Sequence, residues 1–585
     1  MNIQSCPKIY KNYKSDLPEN TIEKIEGNFN NMGIKLIYTA VAEDKPTKIY
    51  SGQARIQYSD FVSYGKGVSP VLAKASAYAE LAERFSSGYF FNFRYKIPKE
   101  SLFYELILKN SAVIEKVLNF GFLKGYSCSP NKEKCIKFED LLGTFHPSRD
   151  KLSLLKKQEY ANHWVDAYSL TRNTEVKIPI KFIRVISGTN GLASGNTIEE
   201  AIVQGACEIF ERFSLINTLR KKISVPTIEI SSIRDHEVRD MIDFIKSLNI
   251  GVVIKDLSYG NKFPVIGVLF KNNNLANVQN ALIRDVYYRR IRVGAHLDMK
   301  YALMRCLTEE MQGYSMDAYK YHKKDAILWD FWTNRMNKRY KKREPINISL
   351  FTYGDFTGDL SFLEDSSLKI SFDELKSVSN SDFLLDIQEL ISICQRDKLD
   401  LIVLDKTHPM LKFPAVRVII PPISYYIYFL TEDYSVNMLL DQKLWNNLNN
   451  NIDLTDFIED TDWTEKPEKI SKLVSLLEDY LSSSLPRHYL KNFLDKNISI
   501  FEILAKLHFA IGDFNQANDY SSLMSALGED FREERDFYGN YKPNEPLGIT
   551  HGFNLRNPFL TDCNCINCSI VYPKTLFRMM RSFLG

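Results

Sequence analysis

The segment GKGVSPVLAKASAYAELAERFS, residues 65–86, joins a glycine-flanked lysine to an amphipathic helix. Proline suits the first turn of a helix because its missing N–H is not needed there, so we expect this helix to run from about residue 70 to residue 89. At about 100° per residue, four polar side chains fall within about one third of the circumference, those of Ser76, Glu80, Glu83 and Arg84. Two carboxylates on one face repel each other unless something positive lies nearby. The segment therefore predicts a helix whose polar face meets a cation or a ligand.

The same pattern returns 128 residues later, in ASGNTIEEAIVQGACEIFERFS, residues 193–214. The two segments align without a gap, with Glu208 in the place of Glu80 and Glu211 in the place of Glu83. The second helix has a wider polar arc of about 120°, which contains Glu200, Gln204, Glu208, Glu211 and Arg212. Each copy follows strand-like sequence, so the repeat predicts a pseudo-symmetric core built from similar loop–helix units.

A third helical segment, ALMRCLTEEMQG (302–313), places Arg305, Glu309 and Gln312 in a similar arc. Any one of these helices is explained as well by i,i+4 ion pairs on a solvated surface, worth a few tenths of a kcal/mol. Three such helices in one chain favour a shared site. Carboxylate oxygens suit Mg²⁺, arginines suit phosphate oxygens, and glycine-containing loops before helix N-termini favour anions. The sequence predicts a nucleotide–Mg²⁺ site that differs from a P-loop, because G-x-x-x-x-G-K-[ST] does not occur.

These motifs resemble those of the YcaO family. That family has S-x3-E-x2-E-R, a loop N-G-x-x-[AS]-G-N-T followed by Glu-x3-Gln and a second E-x2-E-R, and R-x3-E-x2-Q. Here they start at Ser76, at Asn190 and at Arg305. The likeness is to the stand-alone type with a C-terminal helical-repeat extension, which includes an early Lys-x6-Ser/Thr pair, here Lys14 and Thr21. It covers residues 10–435 and, more loosely, residues 480–530.

The resemblance implies roles for individual residues. The implied Mg²⁺ ligands are Glu80, Glu83, Glu200, Glu208, Glu211 and Glu309. The implied nucleotide contacts are Lys14, Thr21, Ser76, Arg84, Asn196, Gln204, Arg212, Arg305 and Gln312, with Glu211, Arg212 and Arg305 as the catalytic residues. The chain departs from the family at Ala193, where some relatives have Ser, and ends in RMMRSFLG where azoline-forming members commonly have P-x-P-x-P.

The resemblance also implies the chemistry, which is ATP-dependent activation of a peptide backbone amide. We expect sulfur insertion that gives a thioamide, or assistance to it. One alternative is a non-catalytic accessory factor for methylthiolation of a ribosomal protein, and another is an azoline-forming cyclodehydratase. The expected partners are a peptide or protein substrate, a protein that delivers sulfur or recruits substrate, and a second copy of the chain in a homodimer.

We expect an α+β fold, with a pseudo-symmetric core of mixed or antiparallel sheets flanked by helices. The predicted domains are a core of residues 1–440 and an all-α, helical-repeat-like domain of residues 445–585, separated by an Asn/Asp-rich stretch. Length fits this division, because 585 residues exceed the usual size of one domain.

Composition excludes some other classes of protein. With 75 Lys+Arg against 72 Asp+Glu, the net charge is +3, which does not support a nucleic-acid-binding chain. The basic runs YRRIRVGAH (288–296) and NRMNKRYKKRE (334–344) are interpreted as solvated loops. No signal peptide or membrane span is predicted, and nine cysteines suit a reducing cytosol.

Three cysteines near the end of the sequence, Cys563, Cys565 and Cys568, form C-x-C-x2-C. Zinc normally takes four ligands, so these three would need a fourth. The alternatives are free cysteines, a structural metal site, or a relay of sulfur or redox equivalents. His296 is either a structural histidine or a residue that lines the nucleotide site.

Overall fold

The structure is a computed structural model that describes residues 1–40, 48–57, 61–87, 134–137, 140–141, 164–180, 183, 187–258, 263–275, 288–310, 360–364, 368–424, 471, 474, 504–505, 508 and 511–526. The chain forms two compact units. The first contains Met1–Val278, Tyr287–Ala318 and Thr357–Leu440, and the second contains Gln279–Val286, Tyr319–Phe356 and Asp441–Gly585. The domain boundary predicted near residue 445 stays a prediction.

The α-helices in the described ranges are α1 (Pro18–Asn31), α2 (Pro70–Ser86), α3 (Ile198–Lys221), α4 (His236–Ser247), α5 (Met299–Glu310), α6 (Phe383–Arg396) and, in the second unit, α7 (Phe514–Ala526). Apart from α7, the predicted all-α domain lies largely outside the described residues. Among the helices that the structure describes, none is both long and apolar enough to cross a membrane.

Three sheets lie in the described part of the first unit. Sheet A has the order β1-β2-β3, sheet B has β10-β9-β8-β7-β11, and sheet C has β5-β4-β12-β13-β6. Neighbouring strands are antiparallel except for β7 and β11. The strands are β1 (Leu36–Ala40), β2 (Tyr50–Ile56), β3 (Val62–Gly67), β4 (Trp164–Ser169), β5 (Thr174–Pro179), β6 (Leu192–Ser194), β7 (Thr227–Ile228), β8 (Ile250–Asp256), β9 (Val265–Asn272), β10 (Arg289–Ala295), β11 (Lys369–Ile370), β12 (Ile402–Asp405) and β13 (Ala415–Ile419). The predicted α+β class is confirmed.

Each sheet carries one of the three helices that the sequence singled out. Helix α2 packs on β3 of sheet A, α5 packs on β10 of sheet B, and α3 packs on β13 and β6 of sheet C. A buried apolar cluster that includes Phe29, Tyr78 and Phe85 joins α1 and α2 to sheet A. A second cluster, with Phe270 and Leu303, joins α4 and α5 to sheet B. Burial of these apolar faces leaves the opposite arcs of the helices for polar groups.

The predicted repeat is present in the structure. Helices α2 and α3 begin at residues 70 and 198, which is the offset of the two sequence segments. Both have hydroxyl N-caps in equivalent positions, because Ser69 accepts from the N–H of Leu72 and Thr197 accepts from the N–H of Glu200. The pseudo-symmetry thus extends to the way in which the two helices start.

A third unit of similar build, β10–α5, was not predicted. Gly65 of β3 lies against the backbone of Ala73 and Ala77 in α2, and Gly294 of β10 lies in the same way against Ala302 in α5. A methyl group at either glycine would overlap the helix backbone. The absence of a side chain at these two positions lets each helix lie directly on its strand.

Three interpretations of the sequence are wrong. The segment ARIQYSDFVSYGKG (54–67) has an alternation that predicts one strand, but it contributes to two, β2 and β3, which pair antiparallel. The strand-like sequence before the second copy of the repeat, IPIKFIRVISGTNGLASG (178–195), is helical at residues 180, 183 and 187. The run YRRIRVGAH was read as a solvated loop, yet it forms β10, in which Arg290 and Arg292 are buried against Glu310. An ion pair with a carboxylate is the condition under which a buried arginine is tolerated. The run 334–344 lies outside the described residues.

Candidate nucleotide and metal site

The polar arc of α2 is half-buried and holds two carboxylates next to one arginine. Arg84 Nη2 lies 3.3 Å from Glu80 Oε1, and Arg84 Nη1 lies 3.1 Å from Glu83 Oε1. Burial raises the pKa of Glu83 to about 8; Arg84 opposes this shift, and the charges of Glu80 and Glu208 add to it. Since Glu208 belongs to α3, the carboxylates of α2 and α3 lie within electrostatic reach of each other.

The polar arc of α3 continues this negative region. Burial raises the pKa of Glu208, against the effect of Arg212 and with that of Glu211. Glu211 is 8% exposed, and its Oε2 accepts a hydrogen bond of 3.2 Å from the N–H of Ala295 at the end of β10. Arg212 Nε lies 3.8 Å from Glu211 Oε1. The contact with Ala295 ties the acidic arc of α3 to the strand that carries α5.

The polar arc of α5 closes the site through two contacts. Arg305 Nη1 donates a hydrogen bond of 3.0 Å to Gln204 Oε1 on α3. Lys66 of β3 forms an ion pair with Glu309. Burial and the neighbouring Arg305 lower the pKa of Lys66 to about 7, although Glu211 opposes this shift. The three predicted arcs therefore meet, and we name Glu80, Glu83, Glu208, Glu211 and Glu309 the carboxylate cluster.

The carboxylate oxygens of the carboxylate cluster fit Mg²⁺, which prefers oxygen ligands. Burial raises the pKa of Glu83 and Glu208 more than the nearby arginines lower it, and a divalent cation bound beside these carboxyls would favour their ionised form. Within the described ranges, no three acidic, imidazole or thiol groups already converge on one point as metal ligands would. Arg84 and Lys66 contact the carboxylates instead. Metal binding would therefore require side chains such as Lys66 to move aside.

A second group of polar residues surrounds Glu200, which is only 3% exposed. Its Oε1 accepts from Lys14 Nζ at 2.8 Å, and its Oε2 accepts from the N–H of Ser15 at 3.1 Å and from Asn196 Nδ2 at 3.4 Å. Asn196 Oδ1 in turn accepts from Thr21 Oγ1 at 2.8 Å. Burial acts against ionisation, but Lys14 and Ser15 hold the pKa of Glu200 below its ordinary value. We name these five residues the Glu200 cluster.

The site thus has two chemically different ends. Glu200 and Glu208 are eight residues apart on α3, which is about 12 Å along a helix axis. One end holds Lys14 and uncharged donors, and the other holds the carboxylate cluster with its arginines. The metal role predicted for Glu200 stays a prediction, and its contacts favour a role in holding Lys14 and Ser15.

His296 lies close to the charged residues of both ends. It is 8% exposed, and its Nδ1 accepts a hydrogen bond of 2.9 Å from the N–H of Asp298. Burial, together with the charges of Arg305, Lys8 and Lys14, lowers the pKa of His296 well below its ordinary value. The imidazole is therefore neutral at physiological pH, and it combines a structural hydrogen bond with a position beside the site.

The remaining predicted residues divide into two groups. Ser76 lies one turn before Glu80 on α2 and is half-buried. Gln312 and the predicted zinc ligands lie outside the described residues, the latter being Cys563, Cys565 and Cys568.

Three residues of the site were not assigned to it from the sequence. Lys66 lies in GKG, but that motif alone is a weak signal of a binding site. Ser15 binds Glu200 and could have been found only through its contact. Arg417 is buried on β13, donates to Ser187 Oγ at 2.7 Å, and its charge lowers the pKa of Glu83. Arg417 lies in AVRVIIPP (415–422), a segment that resembles the same YcaO type, but the resemblance gave this arginine no role.

Residues 64–424 match the family model described as YcaO cyclodehydratase, ATP- and Mg²⁺-binding. This chain belongs to the YcaO family. The match contains every element of the carboxylate cluster and begins within β3. An ATP-using function of the cyclodehydratase type is thus supported at the level of the family.

Individual proteins similar to this YcaO-family chain include an uncharacterized protein of Haemophilus influenzae, 26% identical over 496 residues, which cover 79% of this chain and 73% of that protein. The ribosomal protein S12 methylthiotransferase accessory factor YcaO of Escherichia coli is 28% identical over 258 residues, which cover 43% of this chain and 40% of the factor. The chain thus spans less than half the length of that factor.

Among solved structures, a heterocyclase in complex with substrate and cofactor is similar with a TM-score of 0.50 and 18% identity, over 73% of this chain and 54% of that chain. YcaO from Methanopyrus kandleri, bound with AMPPCP and Mg²⁺, has a TM-score of 0.44 and 18% identity, over 71% of this chain and 93% of that one. At this identity, the likeness to the heterocyclase shows that the fold is shared.

Proposed function

We propose that this chain activates a backbone amide of a peptide or protein by O-phosphorylation with ATP, and that the activated amide receives sulfur to become a thioamide. The observation that carries the proposal is the meeting of three helix arcs: Arg84 pairs with Glu83 on α2, the charges of Arg84 and Arg305 act on Glu208 of α3, and Arg305 of α5 donates to Gln204 of α3. Carboxylates for Mg²⁺ beside arginines for phosphate are what transfer of a phosphoryl group requires, since it depends on positioning and charge neutralisation.

Each end of the site has a proposed task. The carboxylate cluster would hold Mg²⁺, which when bound neutralises charge on the transferred phosphoryl group. Arg84, Arg212 and Arg305 contact the phosphates, and Gln204 orients Arg305 through its 3.0 Å hydrogen bond. The Glu200 cluster receives the nucleoside part, because it offers uncharged donors about 12 Å from the acidic end.

The reaction balances without an oxidant or a reductant. The sulfur of a hydrosulfide donor forms a bond to the amide carbon, and the amide oxygen attacks the γ-phosphorus while ADP leaves. The carbon–oxygen bond then breaks with release of phosphate, and loss of a proton gives the thioamide. Amide, hydrogen sulfide and ATP thereby become thioamide, ADP and phosphate. Phosphate leaves far more readily than hydroxide, which is why ATP is needed.

Two other functions remain as alternatives. The first is a non-catalytic accessory role in methylthiolation of a ribosomal protein, and the name of the E. coli relative favours it. The second is azoline formation, in which a Cys, Ser or Thr side chain replaces hydrosulfide as the nucleophile, in agreement with the family description. We also propose a homodimer, a partner protein that delivers sulfur or substrate, and a cytosolic location.

Mass spectrometry of cellular peptides and ribosomal proteins tests the proposal directly. Cells that contain the chain are compared with cells that lack it and with cells that carry Glu211→Ala. A mass increase from exchange of oxygen for sulfur, present only with the unsubstituted chain, supports thioamidation. Loss of water indicates an azoline, and a methylthio group that disappears without the chain indicates the accessory role. If no mass changes anywhere, the modification proposal fails.

A further inference from the structure

Residues 4–15, which we name the arm, run from α6 to the Glu200 cluster. Near α6, Lys8 Nζ lies 2.5 Å from Asp386 Oδ2 and 2.7 Å from Ser379 Oγ. The side chains of Lys8 and Asp386 are 0% and 1% exposed. Removing two charges from water is costly, so a buried ion pair is weak evidence for stability and invites the question of what else it does.

Backbone contacts hold the arm to the start of α6. The N–H of Lys8 donates to Ser381 O at 2.9 Å, and the N–H of Phe383 donates to Cys6 O at 2.9 Å. The N–H of Cys6 donates to Asp382 Oδ1 at 2.9 Å. These bonds fix the direction in which the chain leaves the buried Lys8 side chain.

A tight turn connects this attachment to the nucleotide site. Lys11 and Asn12 both have positive φ, 46° and 58°, and the N–H of Tyr13 donates to Tyr10 O at 3.0 Å. Tyr10 and Lys14 also exchange two backbone hydrogen bonds, of 3.0 and 3.2 Å. Reciprocal bonds across a turn of this kind leave little freedom between its ends. The position of Lys8 therefore determines the position of Lys14.

The turn also rests on α5. The rings of Tyr13 and Tyr301 have centroids 4.4 Å apart, and the Tyr301 hydroxyl donates to the carbonyl of Lys11. Tyr301 lies one turn before Arg305 on α5. The arm thus contacts α6, α5 and α3, and its last contact is the pair of Lys14 with Glu200, 2.8 Å apart.

We propose that Lys8 and Asp386 are positioning residues for the nucleotide, because they fix the arm so that Lys14 neutralises Glu200 and Ser15 donates a hydrogen bond to it where the nucleoside part of ATP binds. This inference rests on the proposed function. A displaced arm would withdraw Lys14 and Ser15 from Glu200, which is 3% exposed, and would break up the hydrogen-bonded cluster that receives the nucleoside. The carboxylate cluster and its arginines, about 12 Å away along α3, would keep their contacts.

The test compares two ligands in equilibrium calorimetry, magnesium ATP and magnesium tripolyphosphate, which lacks the nucleoside. The double variant K8M/D386N removes both charges, nearly keeps the buried volume and retains an oxygen for the N–H of Asn380. We expect its Kd for ATP to rise about tenfold, a typical size for coupling between two sites, and its Kd for tripolyphosphate to stay unchanged. In turnover, KM for ATP should rise while kcat at saturation stays the same.

The matched control, K134M/E175Q, makes the corresponding lysine-to-methionine and carboxylate-to-amide replacements at an exposed ion pair of 2.8 Å, and neither Kd should change. Tyr301→Phe provides a second variant, which keeps the ring contact with Tyr13 and loses only the hydroxyl bond to the arm. Its Kd for ATP should rise by a smaller factor, again without effect on tripolyphosphate. Unchanged ATP affinity in both arm variants, or equal weakening of both ligands, overturns the positioning role. If the unsubstituted chain binds no ATP, the proposed function itself fails and this inference fails with it.

Discussion

Replacement of Lys66 by methionine tests how the carboxylate cluster takes up Mg²⁺. Lys66 reaches the cluster from β3 and forms an ion pair with Glu309, and its charge also interacts with Glu211 and Glu80. Methionine keeps an unbranched apolar side chain of similar length and removes the ammonium group. Since Lys66 and Mg²⁺ would compete for the same carboxylates, the variant should bind Mg²⁺ more tightly when no nucleotide is present.

The size of the effect follows from charge and exposure. Two unit charges about 4 Å apart interact by about 4 kcal/mol at an effective dielectric constant of about 20. The Glu309 side chain is 38% exposed and that of Lys66 is 24% exposed, so this Coulomb energy has to be reduced to account for screening by solvent. A partly exposed pair of this kind contributes about 1 kcal/mol. At 1.4 kcal/mol per factor of ten, K66M should bind Mg²⁺ about fivefold more tightly below pH 7, where Lys66, whose pKa is lowered to about 7, carries its charge.

Calorimetric titration of the nucleotide-free chain with MgCl₂ measures this change, at constant ionic strength because screening weakens charge effects. The control is Lys48→Met, which removes an exposed ion pair with Asp240 and should leave the Mg²⁺ affinity as it is. An unchanged or weaker affinity in K66M would refute the reasoning, because it would show that Lys66 does not compete with the metal for Glu309.

Three further predictions concern catalysis and stability. Glu211→Ala should abolish ATP turnover while circular dichroism and the melting temperature stay close to those of the parent chain, and unchanged turnover would remove this residue from the site. Gly294→Ala should lower the free energy of unfolding by about 1–3 kcal/mol in urea titrations, because the methyl group overlaps the backbone of α5. Gly251→Ala is its control, since the nearest atom lies 3.4 Å from the added carbon, and equal losses would contradict the close-approach argument. Glu310→Gln should destabilise the fold by about 3–5 kcal/mol, because it leaves Arg290 and Arg292 buried without their carboxylate; a loss below 1 kcal/mol would show that other contacts neutralise them.

Local patterns in the sequence were sufficient to predict the helices of the site and their polar arcs. The arc of Glu80, Glu83 and Arg84 depends only on the helical period, and the start of α2 follows from Pro70. The alternation of apolar and polar residues was a less reliable predictor of strand boundaries. ARIQYSDFVSYGKG has no glycine or proline in its middle, so no strong signal marked the end of β2 at Ile56 or the start of β3 at Val62.

Contacts between distant residues could not be predicted from such patterns. The run RRIRV reads as solvated because three of its five residues are arginine, and only the fold brings Glu310 to two of them. Lys14 and Glu200 are 186 residues apart, and the sequence around neither residue indicates that their side chains form a contact. Lys66 could be noticed as part of GKG, but its role in the site follows from its ion pair with Glu309, which lies on α5. Sequence reasoning therefore found the arcs and the cations within its motifs, but it did not assign Lys66 or Arg417 to the site.

The relation between β3–α2 and β10–α5 explains why two different arcs can serve one site. The glycine of each strand contacts the helix at Ala73 and Ala302, and three residues later the helices carry Ser76 and Arg305 in equivalent positions. Four residues after these, Glu80 and Glu309 are equivalent as well. The two units thus present matching carboxylates and differ at the preceding turn, where one offers a hydroxyl and the other a guanidinium. Matching carboxylates suit a shared cation, whereas Arg305 in the place of Ser76 makes these two units unequal. In the proposed function, that difference provides a guanidinium for phosphate oxygens on one side of the cation and a hydroxyl on the other.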